Sequence, residues 1–107
     1  MPVEVLISGS VTWVIFQDRK SKRWIGICPP LNLSVEEKTL GELSETVDDA
    51  LHALFLDLAR SHELESFLHE HGWSLETPLP RRLVNVRFTM PYTTKRKVGH
   101  DIAPMPA

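Results

Sequence analysis

Asp48 and His52 stand four residues apart in a stretch with helical period, the spacing at which a carboxylate can orient an imidazole as a general base. No nucleophile has a predicted place beside them, so the pair reads as a helix-surface contact worth a few tenths of a kcal/mol. His69 and His71 look like a metal pair, but two positions apart on a helix they point about 200° from one another. His62, Glu65 and His69 share a face, yet a third strong ligand and the usual short spacing are missing. The single Cys28 ends the apolar run Trp24–Cys28 and reads as a buried reduced thiol. Glycines at 9, 26, 41, 72 and 99 are too scattered to cradle a phosphate. The expectation is a non-enzyme with no cofactor and no metal.

Charge is more informative. The net charge is −2, but residues 36–77 hold eleven acidic and two basic residues, whereas both flanks are basic. Within the acidic middle, Glu42, Glu45, Asp48 and Asp49 form a candidate surface for a basic protein partner. Arg81, Arg82, Arg87, Lys95, Arg96 and Lys97 form a candidate surface for nucleic acid, with phosphate contact as the chemistry. Tyr92 is the only aromatic beside the basic run, a thin stacking platform for single strands. A chain that wraps nucleic acid is usually basic overall, so this reading ranks second, beside a third in which the chain is a solitary oligomerisation module.

These side chains need a scaffold, and the hydrophobic pattern supplies one. Val3, Val5, Ile7, Val11, Trp13 and Ile15 alternate, predicting one long strand over 3–17 with a bend or bulge at Gly9. A polar turn at Asp18–Lys22 leads to a second strand, Arg23 to Cys28, paired with the first as a hairpin. Pro29-Pro30 stops it, and 31–35 alternate as a short third strand. Thr39 and Glu42 fit a capping box, followed at spacings of three and four by Leu40, Leu43, Val47, Ala50, Leu51, Leu54, Phe55 and Leu58, an amphipathic helix. Ser61 is placed to cap a second helix over 62–71, with Gly72 as its left-handed stop and Trp73 folding back on the last turn. Val84, Val86, Phe88 and Met90 alternate as a late strand over 82–90. Trp13, Trp24 and Trp73 read as core or subunit-interface rings.

The segment from Arg23 to Leu31, RWIGICPPL, followed by a short strand and by Thr39-Leu40-Gly41-Glu42-Leu43-Ser44-Glu45-Thr46-Val47-Asp48-Asp49-Ala50-Leu51, resembles the HicB antitoxin family. Thr39, Leu40, Glu42, Glu45, Asp49, Ala50 and Leu51 match the family's helix start in type, and the likeness covers about residues 3–60. The resemblance implies a ribonuclease-H-like half fold without catalytic carboxylates, which neutralises a small basic ribonuclease toxin by covering its active site. Many members carry a further DNA-binding segment, and nothing after Trp73 has the helical period for one.

Length and composition bound the rest. With 107 residues, 42% hydrophobic and 24% charged, the chain predicts one α+β domain over 1–90, a small antiparallel sheet of three strands covered by two helices. The late fourth strand is expected to pair at the sheet edge or across a homodimer or higher homo-oligomer. Residues 91–107, with three prolines and no period, are expected to be a basic tail ordered only where it docks. The opening residues have neither the basic start of a signal peptide nor the apolar length of a membrane span, so the expected compartment is the cytoplasm and no membrane partner is implied.

Overall fold

The computed structural model describes residues 1–97. In chain order the elements are β1 (Val3–Ser8), β2 (Val11–Gln17), β3 (Trp24–Cys28), a 3-10 turn (Pro29–Leu31), β4 (Leu33–Glu37), α1 (Leu40–Arg60), α2 (Leu64–Glu70), β5 (Ser74–Leu75), β6 (Val86–Thr89) and β7 (Tyr92–Arg96). The architecture is α+β. Among the described residues two compact units divide the chain, one of 11–47 and 92–97, the other of Met1–Ser10 and Asp48–Pro91.

In the first unit β2, β3 and β4 form the expected antiparallel meander, and β7 lies parallel to β2, giving the order β4-β3-β2-β7. The β2–β3 turn is closed by its own polar groups. The Asp18 carboxylate accepts from the amide and the hydroxyl of Ser21, both at 2.8 Å, and the Asp18 amide donates to the Arg23 carbonyl at 2.8 Å. Asn32, in the left-handed region at φ 56°, turns the chain from the 3-10 segment into β4. Val11, Trp13, Ile15, Cys28, Leu31, Leu43 and Val47 are buried. Gly26 makes room for the largest of them: a Cβ there would sit 3.5 Å from the Trp13 ring and 3.3 Å from Val35. The Thr39 hydroxyl accepts from the Glu42 amide at 3.1 Å, as the capping box predicts. Glu42 returns to that hydroxyl, at 3.2 Å, rather than to the Thr39 amide.

In the second unit β1 is central, antiparallel to β5 and parallel to β6. Val5, Ile7, Leu51, Phe55, Ala59, Leu64, Leu68, Val86, Phe88 and Met90 are buried. The expected single strand over 3–17 is two strands, because Gly9 takes φ 145° and lies against the Trp73 indole, where a Cβ would stand 2.4 Å from the ring. Ser61 does not cap the second helix. Its hydroxyl donates toward the Asp57 and Leu58 carbonyls at 3.2 Å, and His62, at φ 61°, closes α1 with its amide on the Ala59 carbonyl and the Glu63 amide on Leu58. The helix expected over 62–71 is therefore shorter and starts at Leu64. Gly72 does end it, at φ 75°, with the Trp73 amide on the Leu68 carbonyl. The Trp73 ring stacks on His71 at 4.6 Å between centroids and meets Phe67 edge-on at 6.4 Å.

The late strand starts at Val86 rather than 82, since Asn85 at φ 54° turns the chain and ties it to Met1 through its side-chain amide. It pairs within the chain, on β1. The expected tail also differs, because Tyr92–Arg96 forms β7 and the Thr12 and Thr93 hydroxyls bond at 3.0 Å. Its alternation is polar on both faces, so hydrophobic period could not reveal it. Residues 98–107 of that tail lie outside the described residues.

Candidate functional site

On α1, at about 100° per residue, Glu42, Glu45, Asp48 and Asp49 fall within an arc of about 120°. All four are exposed. They are placed there because the apolar stripe with Leu43, Val47 and Leu51 takes the opposite side into the interior. Asp49 is partly neutralised, accepting from Arg87 Nη2 at 2.9 Å. Glu42 is engaged by its own cap, whereas Glu45 and Asp48 have no ion-pair partner among the described residues. Glu37, just before the helix, accepts from the Thr46 hydroxyl at 2.8 Å.

The predicted basic set does not come together as one surface within either unit. Arg81, Arg82 and Arg87 belong to one unit, and Lys95, Arg96 and Lys97 to the other. Arg81 and Arg82 are exposed, while Arg87 is held by Asp49. Lys95 and Arg96 are consecutive on β7 and face opposite sides of the sheet. The Arg96 guanidinium lies over the Trp24 ring, 5.0 Å from its centroid. Folding sets Arg96 and Lys97 beside Arg19 and Lys22 of the β2–β3 turn, in a cleft of about 320 Å³ that also includes Trp24 and Asp18. In the sequence Arg19 and Lys22 stand only as residues of a polar turn. The polar turn was visible, but its position beside β7 required the unpredicted strand.

Among the remaining candidates, His52, His71 and Cys28 are engaged by the fold. His52 Nδ1 accepts the Phe88 amide of β6 at 3.1 Å, which requires an unprotonated nitrogen there. Burial and then the nearby Arg87 charge pull the His52 pKa below its ordinary value. His71 Nδ1 donates to the Phe67 carbonyl at 2.9 Å, and His69 is exposed. Cys28 is fully buried, and burial pushes its thiol pKa up, away from the reactive thiolate. The Asp18 carboxyl is held below its ordinary range by its bonds from Ser21, so the turn is locked by an ionised side chain. No described helix is long and apolar enough to cross a membrane. The chain matches no protein-family model, no curated protein and no solved structure.

Proposed function

We propose that this chain is a non-enzymatic, HicB-like protein-binding module, an antitoxin that covers the active site of a small basic ribonuclease. The observation that carries the reading is the exposed row of Glu42, Glu45 and Asp48 along α1. Carboxylates held on a rigid helix suit a cationic active-site surface, and complementarity of this kind speeds encounter and fixes register. The topology of the first unit adds support. Its three antiparallel strands followed by the start of a helix agree with the hairpin, short strand and helix on which the resemblance rests.

The encounter belongs in the cytoplasm, where a free thiol such as Cys28 stays reduced. The outer edges of β4 and β7 have no strand partner among the described residues, and an open edge is a natural place for a second copy to pair. A homodimer is therefore part of the proposal.

The test uses the product of the adjacent reading frame, which the reading expects to be a short basic protein. Equimolar full chain should suppress its RNA cleavage, and Glu42→Gln/Glu45→Gln/Asp48→Asn should weaken the complex about tenfold or more. A neighbour without ribonuclease activity, or one whose activity the chain leaves untouched, overturns the reading.

A further inference from the structure

The β2–β3 turn and the end of β7 gather a different kind of surface, on the opposite charge to the α1 row. Arg19, Lys22, Arg96 and Lys97 line one cleft with Trp24, and the single carboxylate there, Asp18, is occupied by the two bonds from Ser21. Among the described residues none of these four cations meets a carboxylate in an ion pair, whereas the neighbouring Arg23 does, with Glu36 at 2.6 Å. Four cations thus outnumber the one ionised carboxylate, Asp18, and leave a net positive charge in one place.

The cleft is also built rather than incidental. Besides the Asp18 bonds, the Lys22 amide donates to the Asp18 carbonyl at 2.9 Å and the Gln17 side-chain amide donates to the Lys22 carbonyl at 2.9 Å. Lys22 is held in the left-handed region at φ 65°, which a long side chain seldom adopts and which the locked turn sustains. Across from it, Arg96 is braced on the half-buried Trp24 ring.

We infer that this hairpin end binds single-stranded nucleic acid, taking a backbone phosphate between Arg19, Lys22 and Lys97 and an unstacked base against the Trp24–Arg96 pair. Cations and an aromatic ring in the same cleft match the two halves of a nucleotide. A duplex keeps its bases stacked inside and could use only the cations. The volume, about 320 Å³, is at the small end of ligand sites, suited to one base and its phosphate. This inference stands apart from the antitoxin reading, which rests on α1, and it replaces most of the basic set read from sequence with residues that share one cleft.

The experiment titrates the full chain into a fluorescently labelled single-stranded 12-mer and reads anisotropy across a salt series. Binding is expected at low salt, and Arg19→Gln/Lys22→Asn should weaken it about tenfold. Asparagine keeps position 22 compatible with its left-handed backbone. The slope of log K against log salt should fall in magnitude by up to about 0.7, the share of the one phosphate that these two cations help to hold. Arg81→Gln/Arg82→Gln removes equal charge elsewhere and should leave binding within about twofold. Circular dichroism and melting of each variant distinguish a lost site from a lost fold, and a Trp24→Leu variant that melts normally should also bind weakly. Equal losses from both double variants, equal affinity for a duplex of the same sequence, or no binding at low salt would overturn the assignment.

Discussion

His52 illustrates how a residue that resembles a catalyst can be a structural acceptor. Its Nδ1 takes the Phe88 amide, an arrangement only the neutral ring supports, and its pKa is lowered in the fold by burial and by Arg87. The sign follows from linkage. With the folded pKa below the unfolded value near 6.5, the unfolded chain binds more protons between the two, so the stability His52 contributes is complete above pH 6.5 and is lost as pH falls through the folded pKa. Melting temperature should decline in that window for the native chain, and His52→Gln, which keeps an acceptor without titrating, should decline less. Parallel curves would refute the linkage. Gly9 makes a second residue-scale claim: with φ 145° and the indole of Trp73 against it, Gly9→Ala should destabilise the fold by about 2 kcal/mol or more in urea unfolding. Gly9→Ala combined with Trp73→Ala should cost less than the two single changes added together, since removing the ring relieves the clash.

Capping and pairing decide the outcome for elements. The start of α1 was legible because Thr39 and Glu42 carry their information locally, and Thr39→Ala should cost about 1 kcal/mol in urea unfolding. Ser61 was misread for a related reason. A serine between two helical stretches can cap the second or close the first, and the left-handed His62 chose closure. β7 was not legible, since Tyr92–Arg96 has no apolar alternation and owes its order to the ladder with β2. The Lys97 amide bonds the Ile15 carbonyl, so every second amide faces β2. Hydrogen exchange should therefore find Thr93, Lys95 and Lys97 protected and Thr94 and Arg96 fast. Uniformly fast exchange across 92–97 would remove the strand.

For the molecule as a whole, the net charge of −2 conceals a separation of charge. Carboxylates on α1 face outward because the apolar stripe faces inward, and cations gather at the β2–β3 turn because a parallel strand brings Arg96 and Lys97 there. The proposed homodimer, paired through an open edge, predicts twice the chain mass in light scattering at micromolar concentration. A strictly monomeric mass would end the dimer reading.

The α+β class, the hairpin, the long amphipathic helix with its cap and the glycine stop after α2 could all be read from residue order. Each depends on neighbours within a few positions, where period and turn chemistry act. The acidic row was legible for the same reason, being one face of one helix. The division of the first strand by Trp73, the parallel pairing of β6 on β1 and of β7 on β2, the use of His52 as a backbone acceptor and the meeting of Arg19 with Arg96 were decided only in three dimensions. Each joins residues more than thirty positions apart, and no local pattern encodes which distant strand or ring a side chain will meet.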